Sequence, residues 1–147
     1  MSHAFTSILI HVVFSTKNRS KDLTREVRKD LYSYLTDVAH KTETRLFAVG
    51  GGLDHVHLLL ELKPTSAPAD LVRALKTNSS RWLRSTLTPD FAWQAGYAAF
   101  SVSKSMRSRV TAYIQGQEQH HKRVDFESEY VSLLKKNEIE FENDRLW

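Results

Sequence analysis

Two histidines stand two residues apart in the stretch DHVHLLL at 54–60, which follows three glycines. The run of apolar and β-branched residues predicts a strand, on which His55 and His57 share one face, about 7 Å apart at Cα. Two imidazoles in that arrangement can bind one metal ion. The same spacing also fits two ordinary histidines on a solvated sheet face, so the rest of the chain must decide between these interpretations.

A second group of polar residues lies on a helix predicted from Ser105 to His121. Tyr113 and Gln117 are four residues apart and therefore share a face. His120 and His121 project close to that face. A helix face of this composition is expected to lie against a polar surface, although Tyr113 could also be a partly buried aromatic with its hydroxyl in water.

These two groups together could carry out phosphodiester chemistry, which needs a nucleophile and a Lewis acid. Tyr113 offers a phenolic oxygen, and attack by it would leave a covalent phosphotyrosine that conserves the bond energy for rejoining. His55, His57 and the amide oxygen of Gln117 could hold a divalent ion. Two nitrogens and one oxygen leave coordination positions open, which favours Mg²⁺ or Mn²⁺ over a closed zinc site.

The elements that would position these residues follow the order β-α-β-β-α-β. This order is typical of an α+β, ferredoxin-like or RRM-like antiparallel sheet, here with two extra C-terminal helices, the first carrying Tyr113. Two helices would cover one sheet face, meet Val56, Leu58 and Leu60, and leave the histidine face open for the appended polar helix. The predicted strands are Phe5–Lys17, Thr44–Val49, a third from the glycine turn 50–52 to about Leu62, and Tyr97–Ser103; the predicted helices are 24–41 capped by Thr24, 67–85 capped by Ser66, Ser105–His121 and Phe126–Asn137.

Length and composition restrict the class of protein. The 147 residues are 41% hydrophobic and 26% charged, as in an ordinary globular domain, and we expect one domain over 1–147. The absence of cysteine excludes disulfides, thiolate metal sites and a cysteine nucleophile. The first residues, Met1 to Ala4, do not begin a signal peptide, and no apolar run is long enough for a membrane span, so a cytoplasmic protein is expected. The net charge of +4 permits an anionic partner without requiring one.

The motif DHVHLLL resembles the HUH motif (histidine, hydrophobic, histidine) of single-tyrosine DNA transposases. Three further stretches resemble the same family in the same order, so that the resemblance covers about Phe5 to Trp147: HVVFSTKNR at 11–19, FAWQAGYAAFSVS at 91–103 and AYIQGQEQHH at 112–121. The family includes the small insertion-sequence transposases and the REP-associated tyrosine transposases.

The resemblance implies a specific activity. It implies cleavage of single-stranded DNA near hairpin (imperfect-palindrome) ends through a 5′-phosphotyrosine, followed by strand rejoining, in a protein associated with the nucleoid. By position, His55 and His57 match the metal pair, Tyr113 the nucleophile and Gln117 the third ligand of Mg²⁺ or Mn²⁺. It also implies a homodimer with composite active sites, in which the histidine pair and the tyrosine helix come from different subunits.

Other functions remain open at this point. The chain could be a domesticated REP-associated nuclease that binds DNA, a non-catalytic module that binds single-stranded nucleic acid on its sheet, or a phosphodiesterase that uses water as nucleophile. A binding module of that kind would need aromatic residues where the open face carries His55 and His57. Candidate DNA contacts are the basic residues and histidines Lys17, Arg19, Arg73, Lys76, Arg84, Lys104, His120 and His121.

Overall fold

The computed structural model describes residues 4–147, so the first three residues, used above for the signal-peptide expectation, lie outside it. The described residues form four strands: β1 (Leu9–Ser15), β2 (Arg45–Gly51), β3 (His55–Glu61) and β4 (Ala98–Val102). They pair in one antiparallel sheet in the order β2-β3-β1-β4. This is the strand order of a ferredoxin-like fold, and the predicted fold class is confirmed.

Five α-helices accompany the sheet in the part of the chain from residue 4 onward. They are α1 (Arg25–Lys41), α2 (Pro68–Thr86), α3 (Arg107–Gln115), α4 (Gln117–His120) and α5 (Phe126–Lys136). Thr24 caps α1 as predicted, because its side chain accepts a hydrogen bond from the backbone N–H of Val27. Within residues 4–147, none of the helices combines the length and the apolar character that crossing a membrane requires.

The structure corrects several predicted boundaries. The first strand begins at Leu9 rather than Phe5, whose side chain is exposed, as is that of Ile8. Ser66 does not cap α2: its N-cap residue is Ala67, with no side-chain hydrogen bond. The third predicted helix is interrupted at Gly116, which separates α3 from α4.

One face of the sheet carries the main hydrophobic core. Val56, Leu58 and Leu60 of β3 are buried in a cluster with the apolar stripes of α1 and α2. Because side chains alternate along a strand, this packing places His55 and His57 on the opposite face. The predicted orientation of the histidine strand is therefore confirmed.

The opposite face is covered by the C-terminal helices of the same chain. Ile114 of α3 packs on Leu9, Ala48 and Leu59, in a small cluster that seals one half of this face. Residues of α5 seal the other half against Val13, Ala98 and Phe100; they are Phe126, Tyr130 and Leu134. The face that α1 and α2 leave free is thus closed by α3 and α5 of the same chain.

Gly50 allows α3 to approach the sheet closely. Gly50 and Gly51 belong to β2 rather than to the predicted turn, and Gly50 pairs with His57. A Cβ at Gly50 would lie 2.0 Å from the backbone oxygen of Ile114, so any larger residue must push α3 away. The missing side chain lets α3 lie close to β2, which brings Tyr113 next to the neighbouring strand β3.

We therefore expect Gly50→Ala to destabilise the protein by about 1–3 kcal/mol, the usual cost of overpacking. Urea unfolding followed by circular dichroism measures this difference. Gly96→Ala is the matched control, because a Cβ at Gly96 meets no atom within 4 Å. Equal stability of the two variants would contradict the close docking of α3 on β2.

Candidate active site

The two histidines of β3 are held in place through their Nδ1 atoms. His55 Nδ1 lies 2.8 Å from Asp54 Oδ1, and His57 Nδ1 lies 2.8 Å from His11 Nε2. A carboxylate only accepts hydrogen bonds, so His55 Nδ1 carries the proton and its Nε2 presents a lone pair to the interior of the site. His57 is likewise held at Nδ1, by a hydrogen bond with His11 in which either imidazole can be the donor. Partners at Nδ1 are the usual support of metal-binding histidines.

The interruption at Gly116 brings Tyr113 and Gln117 to the histidines. The Tyr113 ring lies 5.7 Å from the His57 ring, centroid to centroid, and the Gln117 Oε1 atom lies 3.0 Å from His55 Nε2. His55, His57 and Gln117 are no more than 1% exposed. The four residues predicted to form the catalytic site are therefore brought together within one chain.

A buried carboxylate that the sequence did not suggest stands at the centre of the cluster. Glu129 of α5 accepts a hydrogen bond from the Tyr113 hydroxyl at its Oε2 atom. Its Oε1 atom lies 3.2 Å from His57 Nε2 and 2.8 Å from His121 Nε2. Asp125 starts α5 by capping it through the N–H of Ser128, and Glu129 follows on the first turn.

His120 and His121 also belong to this cluster. His121 Nε2 lies 2.9 Å from Gln117 Oε1, and His120 Nε2 lies 3.3 Å from Glu129 Oε2. Of the eight candidate DNA contacts, these two are brought to the predicted catalytic residues.

The nitrogen and oxygen atoms of this cluster are spaced like the ligands of a metal ion. Gln117 Nε2 donates to Glu129 Oε2 at 3.0 Å, which turns the amide oxygen toward His55. The lone pairs of His55 Nε2 and Gln117 Oε1 then face each other, and a metal ion bound between them would remove that conflict. Metal bonds of about 2.1 Å place neighbouring ligand atoms about 3 Å apart. The observed separations, from 2.8 Å to the 3.6 Å between His55 Nε2 and Glu129 Oε1, agree with that spacing.

Burial lowers the pKa of two histidines in this cluster. Burial, with the nearby His57, lowers the pKa of His11 to about 3. Burial likewise lowers the pKa of His57 to about 4, against the opposing effect of Glu129. Both imidazoles are therefore neutral near pH 7, as metal ligation requires.

The two oxygen acids of the cluster shift in opposite directions. Burial raises the pKa of Glu129, but hydrogen bonds from His121 and His57 outweigh it, and the net pKa lies below the usual range. Burial and the Glu129 carboxylate raise the pKa of Tyr113. Glu129 is thus ionised and Tyr113 protonated at neutral pH, so attack by the phenolic oxygen must be accompanied by loss of its proton.

The remaining candidate DNA contacts lie elsewhere on the molecule. Arg19 forms an ion pair with Glu127 and stacks on the ring of Trp147. Lys76 is half-buried and donates to the backbone oxygens of Gln94 and Gly96. The other four are exposed, namely Lys17, Arg73, Arg84 and Lys104. Among them, Arg73 forms an ion pair with Asp70.

A basic cleft leads from the surface to the histidines. Its volume is ≈ 450 Å³, and His55 and His121 lie on its wall. Four cations that were not among the candidates also line it, namely Lys21, Arg25, Arg28 and Lys122. Three acids on the same wall, Asp54, Glu118 and Asp125, offset part of their charge, and Glu118 does so through ion pairs with Arg25 and Arg28. The cleft is a route by which an anion could approach the cluster.

Sequence reasoning missed His11, Asp54 and Glu129. Glu129 lies within the buried stripe that Phe126, Tyr130 and Leu134 form along α5, and an acid in an apolar stripe is a signal of a buried role. His11 interrupts the apolar strand β1 in the same way. Neither pattern identifies the partner, because that depends on which helix covers the sheet.

The sequence of this chain is similar to those of known transposases. A family model described as "Transposase IS200 like" matches residues 4–117. The ISDra2 transposase TnpA of Deinococcus radiodurans is 32% identical over 114 residues, 73% of this chain and 81% of that protein. The transposase of insertion sequence IS200 from Salmonella typhimurium is 26% identical over 141 residues, 90% of this chain and 89% of that protein.

Solved structures resemble the fold. A Deinococcus radiodurans protein assigned as a transposase superposes with a TM-score of 0.66 and 30% identity, over 80% of this chain and 95% of that one. A REP-associated tyrosine transposase bound to a REP hairpin superposes with a TM-score of 0.57 and 14% identity, over 78% and 70% of the two chains.

The chain belongs to the IS200-like transposases, within the HUH tyrosine transposase family. It is therefore a transposase, of a kind that cuts and rejoins DNA. The family resemblance predicted from the four motifs is confirmed.

Proposed function

We propose that this protein is a metal-dependent strand transferase that cuts single-stranded DNA near hairpin ends and rejoins it through a 5′-phosphotyrosine on Tyr113. One observation carries the proposal. The Tyr113 hydroxyl points into the same buried cluster as His55, His57 and Gln117, on a helix that follows the histidine strand far along the chain. A tyrosine with only a packing role would not need its hydroxyl among nitrogen and oxygen atoms that are spaced like metal ligands.

The proposed reaction divides the work among these residues. The Tyr113 oxygen attacks the phosphorus, forms a new P–O bond and loses its proton, while the bond to the 3′ oxygen breaks and that oxygen gains a proton. His55, His57 and Gln117 would hold a Mg²⁺ or Mn²⁺ ion, which when bound would withdraw charge from the phosphoryl oxygens. In the return step a DNA 3′ hydroxyl attacks the phosphotyrosine and releases Tyr113.

We propose single-stranded DNA with hairpin ends as the partner. The cleft beside His55 is lined by Lys21, Arg25 and Arg28, whose charges suit a phosphate backbone. One structural neighbour is bound to a REP hairpin, which is a partner of the same class. We assign the exposed cations Lys17, Arg73, Arg84 and Lys104 to more distant backbone contacts.

The direct test is cleavage of single-stranded hairpin oligonucleotides with and without Mn²⁺ or Mg²⁺. We expect a product joined covalently to protein, seen on a denaturing gel, that disappears with EDTA. Cleavage without an adduct would favour the phosphodiesterase that uses water. Binding without cleavage under every metal condition would favour the non-catalytic module, although α3 and α5 cover the sheet face that such a module would use.

We further propose a homodimer with composite sites. Within one chain Tyr113 already lies beside its own His57, and in such a dimer α3 and α5 would take the same positions on the partner's sheet. Mixing His57→Ala and Tyr113→Phe subunits should then restore one complete site per heterodimer and about half of the activity per mixed dimer. No recovery after demonstrated subunit exchange would show that each chain uses its own tyrosine.

A further inference from the structure

We propose that Glu129 and His121 are ligands of the divalent ion, so that the site is completed by α5 and by the end of α4. The inference rests on the proposed function, because it adds donors to the ion that His55, His57 and Gln117 would hold. It also assigns Glu129 a second contact, the hydroxyl of the nucleophile.

The carboxyl group of Glu129 is buried among histidines. Glu129 is 4% exposed, and the Nε2 atoms of four histidines lie within 3.6 Å of its two oxygens. A carboxylate in such surroundings needs a compensating positive charge. Within residues 4–147, every ion-pair partner of Glu129 is a histidine, and no lysine or arginine approaches it. An acid surrounded by imidazoles is the arrangement of a metal centre rather than of a structural salt bridge.

The two carboxylate oxygens of Glu129 face different groups. Oε1 lies within 3.6 Å of Nε2 atoms from three histidines, His55, His57 and His121. Oε2 instead faces the Tyr113 hydroxyl and the Gln117 amide group. One oxygen can therefore bind the ion while the other keeps the tyrosine hydroxyl oriented toward it, which makes Glu129 a positioning residue for the nucleophile.

The Nε2 atom of His121 lies beside the same oxygen atoms as the predicted ligands. It lies 2.9 Å from Gln117 Oε1 and 2.8 Å from Glu129 Oε1. Together with His55 Nε2, these atoms form a four-cornered set with edges from 2.8 to 3.6 Å. This is the spacing of adjacent ligands around one ion.

The enlarged donor set changes the expected metal preference. Imidazole nitrogens suit first-row transition metals, whereas Mg²⁺ prefers oxygen ligands and retains water. With three histidines around one carboxylate and one amide oxygen, we expect tighter binding of Mn²⁺ than of Mg²⁺. The ion would also connect α5 to β3 and order the C-terminal part of the chain.

The test is calorimetric titration of the metal-free protein with Mn²⁺ alone. Glu129→Gln keeps the shape of the side chain but removes the charge, and we expect its Mn²⁺ affinity to fall at least about tenfold. His121→Ala should show a loss of the same order and provides an independent test if Glu129→Gln fails to fold. Glu127→Gln is the matched control, because Glu127 lies on the same helix but pairs with Arg19 at the surface.

The outcomes separate this inference from the proposed function. If His55→Ala loses Mn²⁺ binding while Glu129→Gln and His121→Ala bind like the wild type, the inference is overturned and the histidine metal site stands. If His55→Ala also binds Mn²⁺ like the wild type, the metal requirement of the proposed function fails as well. Loss in Glu129→Gln and His121→Ala with unchanged Glu127→Gln supports the inference.

Discussion

Tyr113→Phe is expected to abolish covalent attachment of DNA and to reduce strand cleavage by roughly 10⁴-fold or more, because it removes the proposed nucleophile itself. The ring of Tyr113 and its contacts with His57 and His11 remain in the variant. Only the hydroxyl that donates to Glu129 is lost. Gel analysis of adduct formation with a labelled hairpin oligonucleotide measures the effect, and binding of the same oligonucleotide should change little.

Tyr97→Phe is the matched control for this variant. Tyr97 is 37% exposed and immediately precedes β4, outside the histidine cluster. The Tyr97→Phe protein should form the covalent DNA adduct at the wild-type rate. An adduct that persists in Tyr113→Phe would remove Tyr113 from the role of nucleophile.

His57→Ala is the second large effect. Loss of this ligand should weaken the metal site, and a bound metal contributes several kcal/mol of transition-state stabilisation, which corresponds to about 10³-fold in rate. Hairpin binding should persist, because the basic cleft lies on the His55 side and His57 does not line it. Cleavage rates with Mn²⁺ and DNA binding measured by anisotropy separate the two quantities.

The control for His57→Ala is His40→Ala, an exposed histidine in the last turn of α1. His57 is fully buried, so thermal unfolding of both variants must show that the fold survives. If a folded His57→Ala protein lost hairpin binding and cleavage together, the histidine would have a structural role in the DNA site rather than a metal-binding role.

Much of the fold follows from local sequence pattern. The alternation in β3 fixed which side of the strand faces α1 and α2, since a one-residue shift would bury the histidines among leucines. The spacing of Tyr113 and Gln117 likewise placed both on one helix face. The family motifs then assigned both stretches to one family, and the family comparison confirmed that family.

What the sequence did not reveal depends on contacts between distant segments. Glu129 becomes a member of the site only because α5 crosses the sheet next to α3, and no local pattern encodes that crossing. Gly50 was predicted to be in a turn, since glycines commonly form turns, but here its missing Cβ makes room for the Ile114 carbonyl. The interruption at Gly116 was also not predicted, because the residues on both sides of it follow a helical pattern.

The central claim is that Tyr113 becomes covalently attached to the 5′ phosphate of cut DNA. Peptide mass spectrometry of the wild-type adduct, after nuclease trimming of the DNA, tests this claim most directly. The account predicts one modified peptide containing Tyr113, with the nucleotide phosphate on the phenolic oxygen and a free 3′ hydroxyl on the released strand. A phosphate on any other residue, or on the 3′ end of the released strand, would contradict it.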